Sequence, residues 1–64
     1  MDEFVGKDVK IVYKETPNSE SVKIARGTVK AIANNFLTIV FYDGTLKAIN
    51  TNCIIDMQEN KEEK

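Results

Sequence analysis

The stretch VKIARGTVKAI, residues 22–32, decides the fold of this chain. Apolar and polar residues alternate along it with period two, which indicates a β-strand of unusual length. The apolar set changes parity on the way, because Val22 and Ile24 are even-numbered whereas Val29 and Ala31 are odd-numbered. Gly27 lies at this change. We therefore expect a bulge or sharp bend at Gly27 that turns both apolar sets to one face.

Four further strands are predicted around this long one, at residues 9–14, 36–42, 45–49 and 53–57. Polar residues 14–21 form an exposed loop, Asp43-Gly44 is a strong hairpin signal, and residues 50–52 form a short turn. Only residues 2–5 have the pattern of a helical turn. The pattern predicts an all-β fold, a small five-stranded, strongly bent antiparallel barrel in which the long strand serves both sides.

The chain has 64 residues, which is enough for one domain. Hydrophobic residues make up 42% and charged residues 30%, as in ordinary globular domains. We expect a single domain over residues 1–58 and a disordered charged tail over residues 59–64, since that tail has no apolar residue. A domain of this size is near the lower limit for folding alone, so oligomerisation is a candidate source of stability.

Catalytic, cofactor and metal sites are not expected. Cys53 is the single cysteine and histidine is absent, so neither a disulfide, a structural zinc site nor a Cys–His pair can form within the chain. The spacing of the carboxylates brings no two of them together, so we expect no enzyme. One free cysteine, an acidic start without a secretory pattern and the absence of a membrane-length apolar run favour a cytoplasmic protein.

Two segments carry a resemblance to a known family. FVGKDVKI, residues 4–11, looks like the start of the first strand of Sm-like (Lsm) proteins, and GTVKAI, residues 27–32, is similar to their bent second strand. The Asp43-Gly44 hairpin and the turn at residues 50–52 follow at similar intervals. The resemblance covers residues 4–57 through loose motifs, and SH3-like barrels fit the same pattern. An Sm-like chain is expected to form a ring of six or seven subunits that binds single-stranded RNA.

The family's two RNA-binding loops correspond to two asparagine-rich turns. Where the family has Asp followed by Asn, this chain has Asn34-Asn35-Phe36, and where the family has Arg-Gly, it has Asn50-Thr51-Asn52. Amide side chains can hydrogen-bond to bases and an aromatic ring can stack on them. The candidate nucleic-acid-binding residues in these turns are Asn34, Asn35, Phe36, Asn50 and Asn52.

Lysines on the predicted strands are candidate phosphate contacts, namely Lys10, Lys30 and Lys47. The net charge of the chain is −1, so a basic surface would have to arise from charge placement. Ordinary solubility and protection of strand edges explain the same lysines without any ligand.

The third predicted strand is apolar on both faces, because Leu37, Ile39 and Phe41 alternate with Phe36, Val40 and Tyr42. A small barrel has one interior, so the second set must be covered by the long strand, by Phe4 and Val5 of the N-terminal turn, or by another subunit. Of these we favour another subunit. The leading hypothesis is an Sm-like module that binds single-stranded RNA as a homo-oligomer. The alternative is a protein-interaction or assembly module with an SH3-like barrel and no nucleic-acid binding.

Overall fold

The computed structural model describes residues 2–60, which form one antiparallel sheet. A 3₁₀ turn at Asp2–Phe4 precedes β1 (Asp8–Tyr13) and β2 (Lys23–Ala33). They are followed by β3 (Phe36–Val40), β4 (Leu46–Asn50), a second 3₁₀ turn (Thr51–Cys53) and β5 (Ile54–Glu59). The strand order is β4-β3-β2-β1-β5, so β4 and β5 are the terminal strands. The prediction of a small all-β domain with five antiparallel strands is confirmed.

The long strand β2 connects the two halves of the sheet. Its first part, up to Thr28, pairs with β1, and its second part, from Thr28 to Ala33, pairs with β3. Ala25, Gly27 and Val29 all point to the buried face. The predicted long strand therefore exists, and it joins the β1–β5 part of the sheet to the β3–β4 part.

The bulge expected at Gly27 was placed wrongly. The register with β1 is continuous there, and Gly27 pairs with Val9. The register shift lies between Val29 and Ala31, on the side that faces β3. The apolar parity misled the prediction because Ile24 does not belong to the core and is 58% exposed.

The core lies on one face of this sheet. Its largest fully buried side chains are Val9, Ile11, Val29, Leu37 and Ile39. Burying a Val, Leu or Ile side chain of this kind stabilises a fold by about 1.5–3 kcal/mol. The remaining core residues are smaller, lie at the margin or pack against the cluster from outside: Phe4, Tyr13, Ala25, Ile32, Phe41, Ile49, Cys53, Ile54 and Met57.

The hairpin between β3 and β4 is wider than the expected two-residue turn. β3 ends at Val40, and the residues from Phe41 to Thr45 form the connection, with Gly44 at φ 89°. The Thr45 N–H donates to Asp43 Oδ1 at 2.9 Å. This backbone hydrogen bond holds the pKa of the Asp43 carboxyl below its ordinary value.

The end of the sheet extends one residue beyond the expected domain boundary. Glu59, assigned to the tail from the sequence, pairs with Val9 as the last residue of β5. The Asn60 N–H then donates to the Asp8 carbonyl at 2.7 Å. The rest of the predicted tail, residues 61–64, lies outside the described residues. Between residues 2 and 60 there is no helix with the length and apolar character needed to cross a bilayer.

Candidate functional site

The two asparagine-rich turns lie at the same end of the sheet. Asn34 and Asn35 have φ angles of 55° and 66°, which asparagine tolerates better than most residues, and they form the tight β2–β3 turn. Thr51 fixes the second turn against the first, because its N–H and its hydroxyl both donate to the Asn35 carbonyl, at 2.9 and 3.3 Å. The structure therefore brings together the two turns that the sequence suggested.

Within this end, the amides differ in how far they are free to bind a ligand. Asn50 Oδ1 accepts the Asn52 N–H at 2.8 Å and caps the second 3₁₀ turn, so this oxygen has a structural role. Asn34 and Asn52 are exposed. Phe36 lies opposite Asn50 in the β3–β4 ladder and is 47% exposed, so its ring is accessible beside the amides.

The three candidate lysines do not form one surface. Lys10 lies opposite Arg26 on β1, and Lys30 is exposed at the β2 bulge. Lys47 lies on the core side of β4, with its Nζ 5.7 Å from the centroid of the Tyr13 ring and 3.9 Å from Glu15 Oε1. Of the three, Lys47 alone is close to the asparagine end.

A small cavity of about 130 Å³ lies beside this end. Phe36 and Asn50 line one side of it, and Tyr13, Glu15 and Lys47 line another. Glu15 also contacts Lys23, with 3.8 Å between Oε2 and Nζ. The cavity therefore combines amide, aromatic and charged groups, and its one carboxylate is already shared between two lysines.

The outer side of β3 and β4 carries no charge. Directly opposed pairs are Phe36 with Asn50, Thr38 with Ala48, and Val40 with Leu46. The β2 residues paired with β3 on this side are Thr28, Ala31 and Ala33, and Lys30 is exposed at the bulge beside them. Leu46 is 58% exposed. We call this surface the uncharged outer face, and its members are Ala31, Ala33, Phe36, Thr38, Val40, Leu46 and Ala48.

The sequence revealed only half of this face. The two-sided apolar character of residues 36–42 indicated an uncovered set, but Leu46 and Ala48 were taken simply as part of the fourth strand. Their contribution depends on the register of β4 against β3, in which they oppose Val40 and Thr38. Pairing the even-numbered residues of the two predicted strands across the hairpin would have shown it.

The same face ends at a free strand edge. Hydrogen bonds from Phe41 N to Thr45 O and from Thr51 N to Asn35 O show that the odd-numbered residues flanking β4 turn their backbone groups toward β3. Because these directions alternate along a strand, Leu46, Ala48 and Asn50 direct their N–H and C=O groups away from the sheet. An apolar face thus lies next to unpaired backbone groups.

No protein-family model matches this sequence, and no curated protein or solved structure matches it either. Among residues 2–60, no three His, Cys, Asp or Glu side chains are grouped so that they could hold a metal ion. The functional assignment therefore rests on the uncharged outer face, the free edge of β4 and the asparagine end.

Proposed function

We propose that this chain is a non-enzymatic interaction module that assembles into homo-oligomers through the uncharged outer face and the adjoining edge of β4. The observation that supports this most is the coincidence of the two features on one strand. Leu46 is 58% exposed and Phe36 is 47% exposed, and the outward-facing side chains of β3 and β4 around them are uncharged. Contiguous apolar surface beside an unpaired edge favours association with another protein.

A second copy of the chain has an unpaired strand edge and apolar surface that can pack against this face. The sheet order leaves β5 as the other terminal strand, so β4 and β5 each have one edge without a neighbouring strand. Ile55 on β5 is 54% exposed and supplies apolar surface at that second edge. Pairing of β4 in one copy with β5 in the next is a head-to-tail contact, which produces a ring when its rotation closes.

The finer fold assignment is part of this proposal. We infer an SH3-like or Sm-like barrel because a single 3₁₀ turn, Thr51–Cys53, connects the terminal strands β4 and β5. The close approach of β3 to Gly27 on β2 supports strong bending of the sheet. In this geometry β2 contributes residues to both halves of the barrel. Pairing of β4 in one subunit with β5 in the next would then form a ring like those of the Sm-like family.

Light scattering tests the proposal, because an assembling module has a mass above that of one chain. The informative variant is Leu46→Lys, which places a charge on the uncharged outer face without touching the core. Val22→Lys is the matched control, since Val22 is 52% exposed but lies outside that face.

Binding of single-stranded RNA at the asparagine end is the second candidate function. The observation that favours it is the Thr51 contact with the Asn35 carbonyl, which holds two amide-rich turns and the accessible Phe36 ring in one place. Bases could stack on Phe36 while Asn34 and Asn52 donate and accept hydrogen bonds. Fluorescence anisotropy with a labelled oligouridylate tests this function separately from assembly.

A further inference from the structure

An open groove of about 690 Å³ lies beside the β3–β4 connection, at the opposite end of these strands from the asparagine turns. The first part of β2 forms one wall, and the β3–β4 connection forms the other. The groove exists because β3 pairs with β2 only from Thr28 onward, so no strand lies beside residues 23–27 on that side. Its lining residues are Ile24, Ala25, Arg26, Phe41, Tyr42 and Asp43.

The β2 wall of the groove presents unpaired backbone groups. The Val29 N–H donates to Lys7 O and the Val29 carbonyl accepts from Gly6 N, so both Val29 groups point to the β1 side. Alternation along the strand then directs the N–H and C=O groups of Ile24 and Arg26 into the groove. Two residues of β2 can therefore pair with an added strand.

The outward side chains of this edge are apolar and cationic. Ile24 is 58% exposed. Arg26 lies directly opposite Lys10 across the β1–β2 ladder, and like charges in such a pair repel. The ion pairs within residues 2–60 involve Lys7, Lys23 and Lys47 and leave both of these cations without a carboxylate. An anionic group at Arg26 would relieve this repulsion.

The far wall is held in place by groups that are already hydrogen-bonded. The Tyr42 hydroxyl donates to the carboxylate of Asp8, at 3.2 Å from each oxygen, while the Tyr42 residue remains 72% exposed. Asp43 accepts the Thr45 N–H. The exposed Tyr42 ring is therefore a fixed apolar surface, and the two acids beside it are engaged within the fold.

We propose that this groove binds an extended acidic peptide segment of a partner protein, which adds as a short strand to the free edge of β2. In register, a carboxylate of the peptide lies beside Arg26 and a branched aliphatic side chain lies beside Ile24. These two positions are separated by one residue, because side chains on one face of a strand recur with period two. The segment is recognised through backbone pairing and through this alternation of acidic and aliphatic residues.

A peptide fits this groove better than a nucleic acid does. Backbone N–H and C=O groups in one row match another extended polypeptide, and Ile24, Phe41 and Tyr42 provide apolar contact for aliphatic side chains. Arg26 is the cationic side chain on the lining, and Asp43 on the far wall is acidic, so a run of phosphates along the groove would meet a repelling carboxylate there. A single acidic residue on the Arg26 side avoids that repulsion.

The test uses the full chain and a fluorescein-labelled peptide, Thr-Glu-Val-Ile-Val-Glu-Thr, whose outward pattern fits β2 in either direction. We expect saturable binding in anisotropy titrations below about 1 mM protein, the range of a short strand addition. Arg26→Glu should weaken this binding about tenfold and should favour the matching peptide with lysines in place of both glutamates. Thermal melting confirms that the variant is folded.

Two further measurements distinguish binding by strand addition from binding by charge attraction alone. A peptide N-methylated at its central isoleucine and its two valines keeps all charges but loses backbone donors, so its binding should fall about tenfold. Leu46→Lys, which tests assembly, should leave peptide binding unchanged. The proposal is overturned by absence of binding, by equal binding of the methylated peptide, or by an oligouridylate that displaces the peptide and binds more tightly. Each arm can succeed or fail regardless of the oligomeric state.

Discussion

The Val40 carbonyl, at the end of β3, lies against the Cα of Gly27 on β2. A Cβ on Gly27 would meet the Val40 oxygen, would lie 3.0 Å from the Val40 carbonyl carbon and would lie 3.2 Å from Ile39 Cγ1. The nearest obstacle is backbone, which cannot move aside as a flexible side chain can. The close approach of β3 to β2 requires glycine at this position.

Replacing Gly27 with alanine should therefore destabilise the domain by roughly 1–3 kcal/mol, the usual cost of overpacking a core. Thermal or urea unfolding of G27A measures this loss. Thr28→Ala is the control, because Thr28 is the next residue on the same strand but is exposed. An unchanged unfolding midpoint for G27A would show that β3 does not approach β2 this closely.

The sequence located Gly27 correctly but for the wrong physical reason. Parity suggested a bulge, whereas the structure requires the missing side chain for a contact with Val40, a residue distant in sequence. Period-two alternation predicted the five strands because it reflects burial on one face of each strand. The bulge near Lys30, the wide β3–β4 connection and the groove beside Ile24 could not be predicted, because they depend on how strands pair.

In the candidate site, too, the local turns could be predicted from the sequence, whereas the contacts between distant residues could not. Asn34 and Asn35 were identifiable as a turn, since their side chains favour positive φ. The contact of Asn35 with Thr51 arises from the β3–β4 register and is not visible in the order of residues. Lys47 was expected outside as a phosphate contact, yet its register position opposite Ile39 directs it to the core side, over Tyr13.

The Asp43 carboxylate should make stability depend on pH. Its pKa is lowered in the folded state by the Thr45 N–H, so the charged form stabilises the fold. That contribution is present above the ordinary aspartate pKa of about 4 and is lost as the pH falls through the lowered folded pKa. Asp43→Asn keeps an acceptor but removes the charge. Its melting temperature should be below that of the wild type at about pH 7, and the difference should shrink in acid. A difference that stays constant with pH would contradict this assignment.

The free edge of β4 can be blocked without disturbing the ladder to β3. Ala48 is exposed and directs its N–H away from the sheet, so Ala48→Pro removes an edge donor that has no partner within residues 2–60. We expect A48P to remain folded and to shift toward the monomer in sedimentation velocity. Ala48→Ser, which retains the N–H, is the control. Unchanged association of folded A48P would exclude pairing through this edge.

RNA binding at the asparagine end predicts two separable effects. Asn34→Gly retains positive φ while removing an amide, so it should alter the preference between oligouridylate and oligoadenylate. Lys47→Ala, at the one candidate lysine close to this end, should weaken binding to both and reduce the salt dependence by about one ion. Fluorescence anisotropy at low salt measures both effects. Absence of binding at about 100 μM protein would remove the RNA candidate and leave the protein-association function.

Homo-oligomer formation is tested most directly by the mass of the protein in solution. Size-exclusion chromatography with light scattering at about 100 μM protein measures that mass. Assembly through the uncharged outer face predicts a wild-type mass that is a multiple of 7.2 kDa. Leu46→Lys should lower that mass toward one chain, whereas Val22→Lys, at a similarly exposed residue outside the uncharged outer face, should leave it unchanged. A wild-type mass of 7.2 kDa, or equal masses for the two variants, would contradict assembly through this face.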